Sequence, residues 1–245
     1  MSRSGADPGH VLNDDPKVVL LDIEGTTTPI DFVHQILFPF ARQRMASFLS
    51  SQWSDAAVRE DVGQLGREYA AEKGAPLGPS AKDAARYALE LMDQDRKSTG
   101  LKALQGRIWE DGYRQGLLHG VVYDDVPRAF ARWKARGVGI AIFSSGSVLA
   151  QKLIFGHSTA GDLGREISGY FDTTTGPKRE AESYRRIAAS LKVAAADILF
   201  YSDVVAELDA ARAAGMQTAL SARGAMPADV SGHRVIRDFD GECAA

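Results

Sequence analysis

A chain of 245 residues with 44% hydrophobic and 25% charged residues has the balance of a globular protein, long enough for a main domain with a smaller companion. Its 29 basic and 32 acidic residues leave a formal charge of -3, which gives no basic footprint for nucleic acid, and no run approaches the roughly 18 apolar residues of a membrane span. The single cysteine, Cys243, can form neither an internal disulfide nor a zinc cluster alone, which suits a reducing cytoplasm.

Residues 1–15 are polar, lack the apolar stretch of a secretory signal, and read as a flexible N-terminal tail. The β-branched run Val18–Leu21 predicts a buried strand with Asp22 at its carboxyl end. Gly25 and the threonines after it then break regular structure. Over residues 31–120 the pattern is helical. Pro39 marks a kink or boundary in the apolar stretch that begins at Phe32. Ser54 or Asp55 can cap a helix that runs toward Lys73 and stops at Gly74 and Pro76. Ser80 and Asp83 resemble a capping box, followed by Ala84, Tyr87, Ala88, Leu91 and Met92 on one face. Leu101, Leu104, Ile108 and Trp109 continue the helical spacing. An all-helical block set inside an α/β chain predicts an inserted module.

Strand and helix alternate again from Gly120. Asp125 is expected to cap a helix that buries Val126, Phe130 and Trp133 and ends at Gly137. Runs at Val138–Phe143, Ile198–Tyr201, Thr218–Leu220 and Arg234–Ile236 predict further strands. The alternation implies a parallel sheet with right-handed crossovers. The fold class is therefore α/β: a Rossmann-like core over 16–30 and 121–245, with the helical insertion at 31–120.

Three of the predicted strands end in polar residues: Asp22 with Glu24, Ser144 with Ser145, and Asp203. Ligands of open α/β sheets bind at the carboxyl ends of the strands, so these groups converge on one crevice. A lone carboxylate after a strand is readily a turn residue; repetition at successive strand ends is what points to chemistry. Hydrolysis of a phosphate ester needs an in-line nucleophile, a cation on the phosphoryl oxygens and donors to hold them. Asp22 can attack and form an acyl phosphate. Asp22 and Asp203 offer hard oxygen ligands to Mg²⁺, and Lys178 a compact positive charge. The Ser144 hydroxyl and the amides of the Ser145–Gly146 turn can donate to phosphate oxygens. Glu24 can protonate the leaving group and later activate water.

Asp22-x-Glu24-Gly-Thr-Thr, the strand ending at Ser144, Lys178, and Ser202-Asp203-x-x-x-Glu207 resemble the four ordered motifs of the haloacid dehalogenase superfamily. Asp22–Ile30, Phe32-Val33, Ser144–Val148, Gln151-Lys152, Phe155–Ser158, Gly161–Leu163 and Tyr170–Thr173 are similar to the enolase-phosphatase family of methionine salvage. Glu24 supports the narrower resemblance, since most superfamily phosphatases carry Asp there. The resemblance implies a Rossmann-like core with a helical cap closing over the site. It also implies one Mg²⁺ per chain, held by Asp22, the main chain of Glu24 and Asp203. The implied substrate is a small phosphorylated diketone, 2,3-diketo-5-methylthiopentyl 1-phosphate, enolised and then dephosphorylated to the acireductone. Glu24 is the first candidate for the enolising base and His34 the second. Phe32, Ile36 and Phe38 are expected either to meet the methylthio tail or to pack in the core. Glu207 either holds a metal-bound water or is an exposed helix residue, and His119 and His157 are structural or solvent-facing. A cytoplasmic monomer without nucleic-acid or membrane partners is expected. The alternatives are a superfamily phosphatase for another small phosphoester, a dehalogenase, or a non-catalytic binding or scaffold protein.

Overall fold

The computed structural model describes residues 16–226 and 229–243, so the expected tail over 1–15 lies outside the described residues. Strand β1 (Val18–Leu21) leads to a short helix, α1 (Ile30–Phe32), a π-helical stretch over Val33–Leu37, and α2 (Phe38–Ser51). Next come α3 (Ala56–Lys73), α4 (Ala81–Asp93) and α5 (Thr99–Arg114). Helix α6 (Asp125–Ala135) precedes β2 (Gly139–Phe143), α7 (Val148–Gly156), β3 (Gly169–Phe171) and α8 (Ala181–Leu191). The chain continues through β4 (Ile198–Ser202), α9 (Val205–Ala213), β5 (Gln217–Ser221) and β6 (Arg234–Ile236).

The six strands form one parallel sheet in the order β3-β2-β1-β4-β5-β6. The chain moves outward from β1 to β3 and then returns to the other side of β1 with β4. That reversal puts a switch-point crevice at the carboxyl end of β1, flanked by the ends of β2 and β4. Strand periodicity divides the core between the two faces. Val19, Leu21, Ile140, Ile142, Leu199 and Tyr201 point to one face, and Val18, Leu20, Ala141, Phe143, Ile198 and Phe200 to the other. The second face is covered by α8 and α9, through Tyr184, Ile187, Leu208 and Ala211. On the first face the buried apolar cluster runs through α6 and α7 and on into α2–α5 without a break.

Local chemistry accounts for several of the helix ends. Asp55 accepts from the amides of Ala57 and Val58 at the start of α3, and Gly74 closes that helix at φ +69°. Ser80 accepts from the amide of Asp83 and donates to its carboxylate at 2.6 Å, so Asp does serve in this capping box. Pro39 occupies the first turn of α2, where a missing N–H is tolerated.

Three features differ from expectation. Asp125 does not cap α6: it is buried in the first turn, where its carboxylate accepts from the Arg223 guanidinium at 2.7 Å and the Phe239 amide at 2.6 Å. Strand β3 was not expected, since three residues beginning with Gly169 show no readable alternation. The π-helical stretch also has no sequence signature, yet it is a rare geometry that is frequent at functional sites. Among the described residues, no helix is long and apolar enough to cross a membrane.

Candidate active site

Asp22 leaves β1 with its amide bonded to the Tyr201 carbonyl of β4, so the two strand ends stay in register. Its Oδ1 accepts from the Ile23 amide at 2.8 Å and from Lys178 Nζ at 2.7 Å. The backbone then makes a tight turn in which Thr26, Thr27 and Thr28 all donate to the Ile23 carbonyl. Gly25 donates to Thr28, which leaves the Glu24 carbonyl with no hydrogen bond from the described residues. This turn is anchored from behind. Arg223 Nε donates to the Thr26 carbonyl at 3.0 Å, and the Tyr123 amide to the Thr27 carbonyl at 3.0 Å. Sequence reasoning missed Arg223, whose buried pair with Asp125 joins residues about a hundred positions apart.

Lys178 reaches the crevice from the loop before α8. Its side chain is 9% exposed, and Nζ lies 2.6 Å from Glu207 Oε2 as well as beside Asp22. Burial alone would lower its pKa, but the Asp22 and Glu207 carboxylates hold it above the ordinary lysine value. Glu207 is not an exposed helix residue. It is buried, pairs with Lys178 and meets Ser202 Oγ at 3.0 Å, so it fixes the lysine against the sheet. Asp203, by contrast, makes no ion pair among the described residues. Burial and then the charges of Asp22 and Glu207 push its carboxyl up to about 6. Glu24 is likewise raised, by burial first and Asp22 second. Four carboxylates thus share one lysine, an excess of negative charge that a polyvalent cation would relieve.

At the end of β2, Ser144 is buried and its Oγ accepts from the Gly146 amide at 3.1 Å. The expectation that both turn amides face a phosphate therefore needs amending: the Gly146 amide is already engaged by the serine two residues before it, a local bond favoured in such turns. Ser145 is exposed and its carbonyl accepts from Lys102 Nζ of α5 at 3.3 Å.

Glu24 and the Ser144–Ser147 turn form one wall of a cavity of about 250 Å³. Much of the remaining lining comes from the helical segment, including Leu37, Phe38, Leu91, Leu101 and Trp109. Asp22, Lys178 and Asp203 do not line it, so Glu24 is where the acidic cluster and the cavity meet. Of the three residues considered for a tail contact, Phe38 lines the cavity, Phe32 is buried in the core, and Ile36 is 46% exposed. The π-helical stretch brings Val33 and Leu37 to the cavity, and the Trp109 indole donates to the Leu37 carbonyl at 2.8 Å. His34 is exposed, with its ring against Phe38, and does not line the cavity. His119 and His157 are exposed, the latter stacked on Tyr113.

Residues 16–215 match the haloacid dehalogenase-like hydrolases. The enolase-phosphatase E1 of Synechococcus elongatus is 55% identical over 227 residues, covering 91% of this chain and 95% of its own. The enolase-phosphatase E1 of Drosophila melanogaster is 47% identical, covering 91% of each. The chain belongs to the haloacid dehalogenase-like hydrolases and, within them, to the enolase-phosphatase E1 family. A crystal structure of the UTR4 protein from Saccharomyces cerevisiae, 34% identical, has the same fold, with a TM-score of 0.77 over 92% of this chain and 99% of that one. The parallel core with flanking helices is thus the family fold, and the protein is a phosphoric monoester hydrolase.

The donor set suits a magnesium enzyme-phosphatase. Among the described residues no three His, Cys, Asp or Glu side chains form a ready-made cage. Mg²⁺ does not ask for one, since it retains waters and takes one or two carboxylates together with substrate oxygens. Asp22, Asp203 and the uncommitted Glu24 carbonyl are such a set. Gly25 makes room for it: the glycine sits at φ +69°, and a Cβ there would overlap the Asp203 carboxylate. Gly25→Ala should therefore displace Asp203 as well as strain the turn. We expect phosphatase activity to fall at least about tenfold and the apparent Mg²⁺ requirement to rise, read by metal titration of phosphate release. An unaltered metal titration would contradict this role for the glycine.

Proposed function

We propose that the chain is the enolase-phosphatase of methionine salvage, acting as a cytoplasmic monomer on 2,3-diketo-5-methylthiopentyl 1-phosphate and yielding the acireductone and phosphate. The observation that carries this reading is that Glu24 borders both the acidic cluster and the apolar cavity, and makes no side-chain hydrogen bond to the described residues. A proton-transfer group is needed at that junction, between a phosphate and the carbon chain it esterifies.

In the first step Glu24 takes a proton from C1, which lies between the phosphate ester and the C2 ketone, and keeps it, while the C2 enolate oxygen takes a proton from water to become the enol hydroxyl. In the second, Asp22 attacks phosphorus in line and the C1–oxygen side leaves with a proton from Glu24, forming an aspartyl phosphate. Glu24 then activates water to release phosphate and restore Asp22. Lys178, held by Glu207, faces the charge that builds on the phosphoryl oxygens, while Ser144 and the Ser145 amide orient them. The cation, held by Asp22, Asp203 and the Glu24 carbonyl, supplies charge neutralisation and electrophilic pull when bound. The segment 31–120 acts as the cap, closing the cavity over the reacting chain and excluding water.

Phosphate release from the diketo phosphate, compared with a panel of sugar phosphates, tests the substrate. Preference for the diketo phosphate by about a hundredfold or more in kcat/KM is expected, and comparable rates across the panel would instead mark a general phosphatase. EDTA should abolish release and added Mg²⁺ restore it; activity that persists in rigorously metal-free buffer would remove the metal from the account.

A further inference from the structure

Helix α5 turns a stripe of Leu101, Gln105 and Trp109 toward the cavity, four residues apart and so stacked along one helix face. Leu101 and Trp109 suit an apolar chamber. Gln105 does not, because its carboxamide carries two donor hydrogens and an acceptor oxygen, and the residue is only 6% exposed. The other two buried polar side chains on the wall each make hydrogen bonds within the protein, although Gln151 Oε1 is sealed without a partner among the described residues. Ser144 Oγ accepts from Gly146, and Gln151 Nε2 donates to the Gly146 carbonyl at 3.0 Å and the Phe171 carbonyl at 2.8 Å. Gln105 makes no side-chain hydrogen bond to any described residue, yet neither of its amide atoms is sealed from solvent, so its remaining surface opens on the cavity.

Packing alone does not call for an amide here, since a methionine of similar volume would fill the same space. A ligand that occupies the cavity strips water from the amide and must return a hydrogen bond or lose affinity. The cavity lining joins the Ser144–Ser147 turn with apolar surface from Phe38, Leu91 and Trp109. A phosphorylated chain with an apolar end, lying between them, presents its polar middle to α5.

We propose that Gln105 is a specificity-determining residue that reads the dicarbonyl segment of the substrate, its Nε2 donating to a ketone oxygen. This rests on the diketo phosphate reading above. A site built to hydrogen-bond a substrate group rejects the analogue lacking that group far more strongly than an apolar pocket can. Gln105 thus separates a dicarbonyl phosphate from an alkyl phosphate of the same length.

The test is the ratio of kcat/KM for the diketo phosphate to that for 5-methylthiopentyl phosphate, the same chain without ketones, in the Mg²⁺-loaded protein and in Gln105→Met. A ratio cancels any general loss from disturbed folding, because both substrates use the same phosphate site. It should fall by about ten- to a hundredfold in the variant. An unchanged ratio overturns the proposal, whether or not both rates decline together. A wild-type protein that does not prefer the diketo phosphate overturns the substrate reading itself, and that failure is visible before the variant is measured.

Discussion

Replacing Asp22 by Asn will abolish phosphate release, with kcat falling by about ten-thousandfold or more, because the asparagine amide cannot form the acyl phosphate and Glu24 is taken up as the acid and base. Asn keeps the size of Asp and can still accept from the Ile23 amide, which the Asp22 Oδ1 does at 2.8 Å. It also removes a charge that presses on Glu24, Asp203 and Glu207, so the variant should remain folded. Glu24 is left in place, and enolisation does not require the covalent step. The enol phosphate should therefore accumulate and be seen by its ultraviolet absorbance. Turnover at the wild-type rate would refute a nucleophilic Asp22.

Lys178→Met should damage both stability and activity. Among the described residues the lysine is the one cation bonded to Asp22 and Glu207, and all three side chains are buried. Without it, two carboxylates face each other beside Asp203 with no compensating charge, and removing one partner of a buried pair costs about 3–5 kcal/mol. Methionine fills the stem's volume, so the loss measures the charge rather than a void. Urea unfolding at neutral pH should show a lowered midpoint with an unchanged slope, and phosphate release should fall at least about a thousandfold. Stability within about 1 kcal/mol of the wild type would mean that the pair behaves like an exposed one, contrary to its burial.

The reactive constellation was legible because it follows strand ends. Asp22, Ser144 and Asp203 each stand where an apolar run stops, and parallel pairing of β2, β1 and β4 brings those ends together. Lys178 lies in no regular element, so only its place in the motif order picked it out. What sequence could not supply was the partner of each polar group. Glu207 has the spacing of a helix residue facing water, and its burial depends on how α9 meets the Lys178 loop. Asp125 has the composition of a cap, and only the return of the chain at Arg223 and Phe239 turns it into the centre of a buried network. Gln105 interrupts an apolar periodicity on α5, a signal present in the sequence; its meaning appears once the cavity shows which face is turned toward Glu24. Phe32 and Ile36 show the reverse case. Both are apolar and near the segment start, but Phe32, at the end of α1, is buried and Ile36, in the π-helical stretch, is exposed.

The central claim is that phosphate passes through Asp22. The most direct measurement is to quench the Mg²⁺-loaded enzyme in acid during turnover of the diketo phosphate, reduce with borohydride, and map the peptides by mass spectrometry. An aspartyl phosphate is reduced to homoserine, so the account predicts homoserine at position 22 and at no other aspartate. Homoserine at a different position, or none while phosphate release proceeds unhindered in Asp22→Asn, would contradict it.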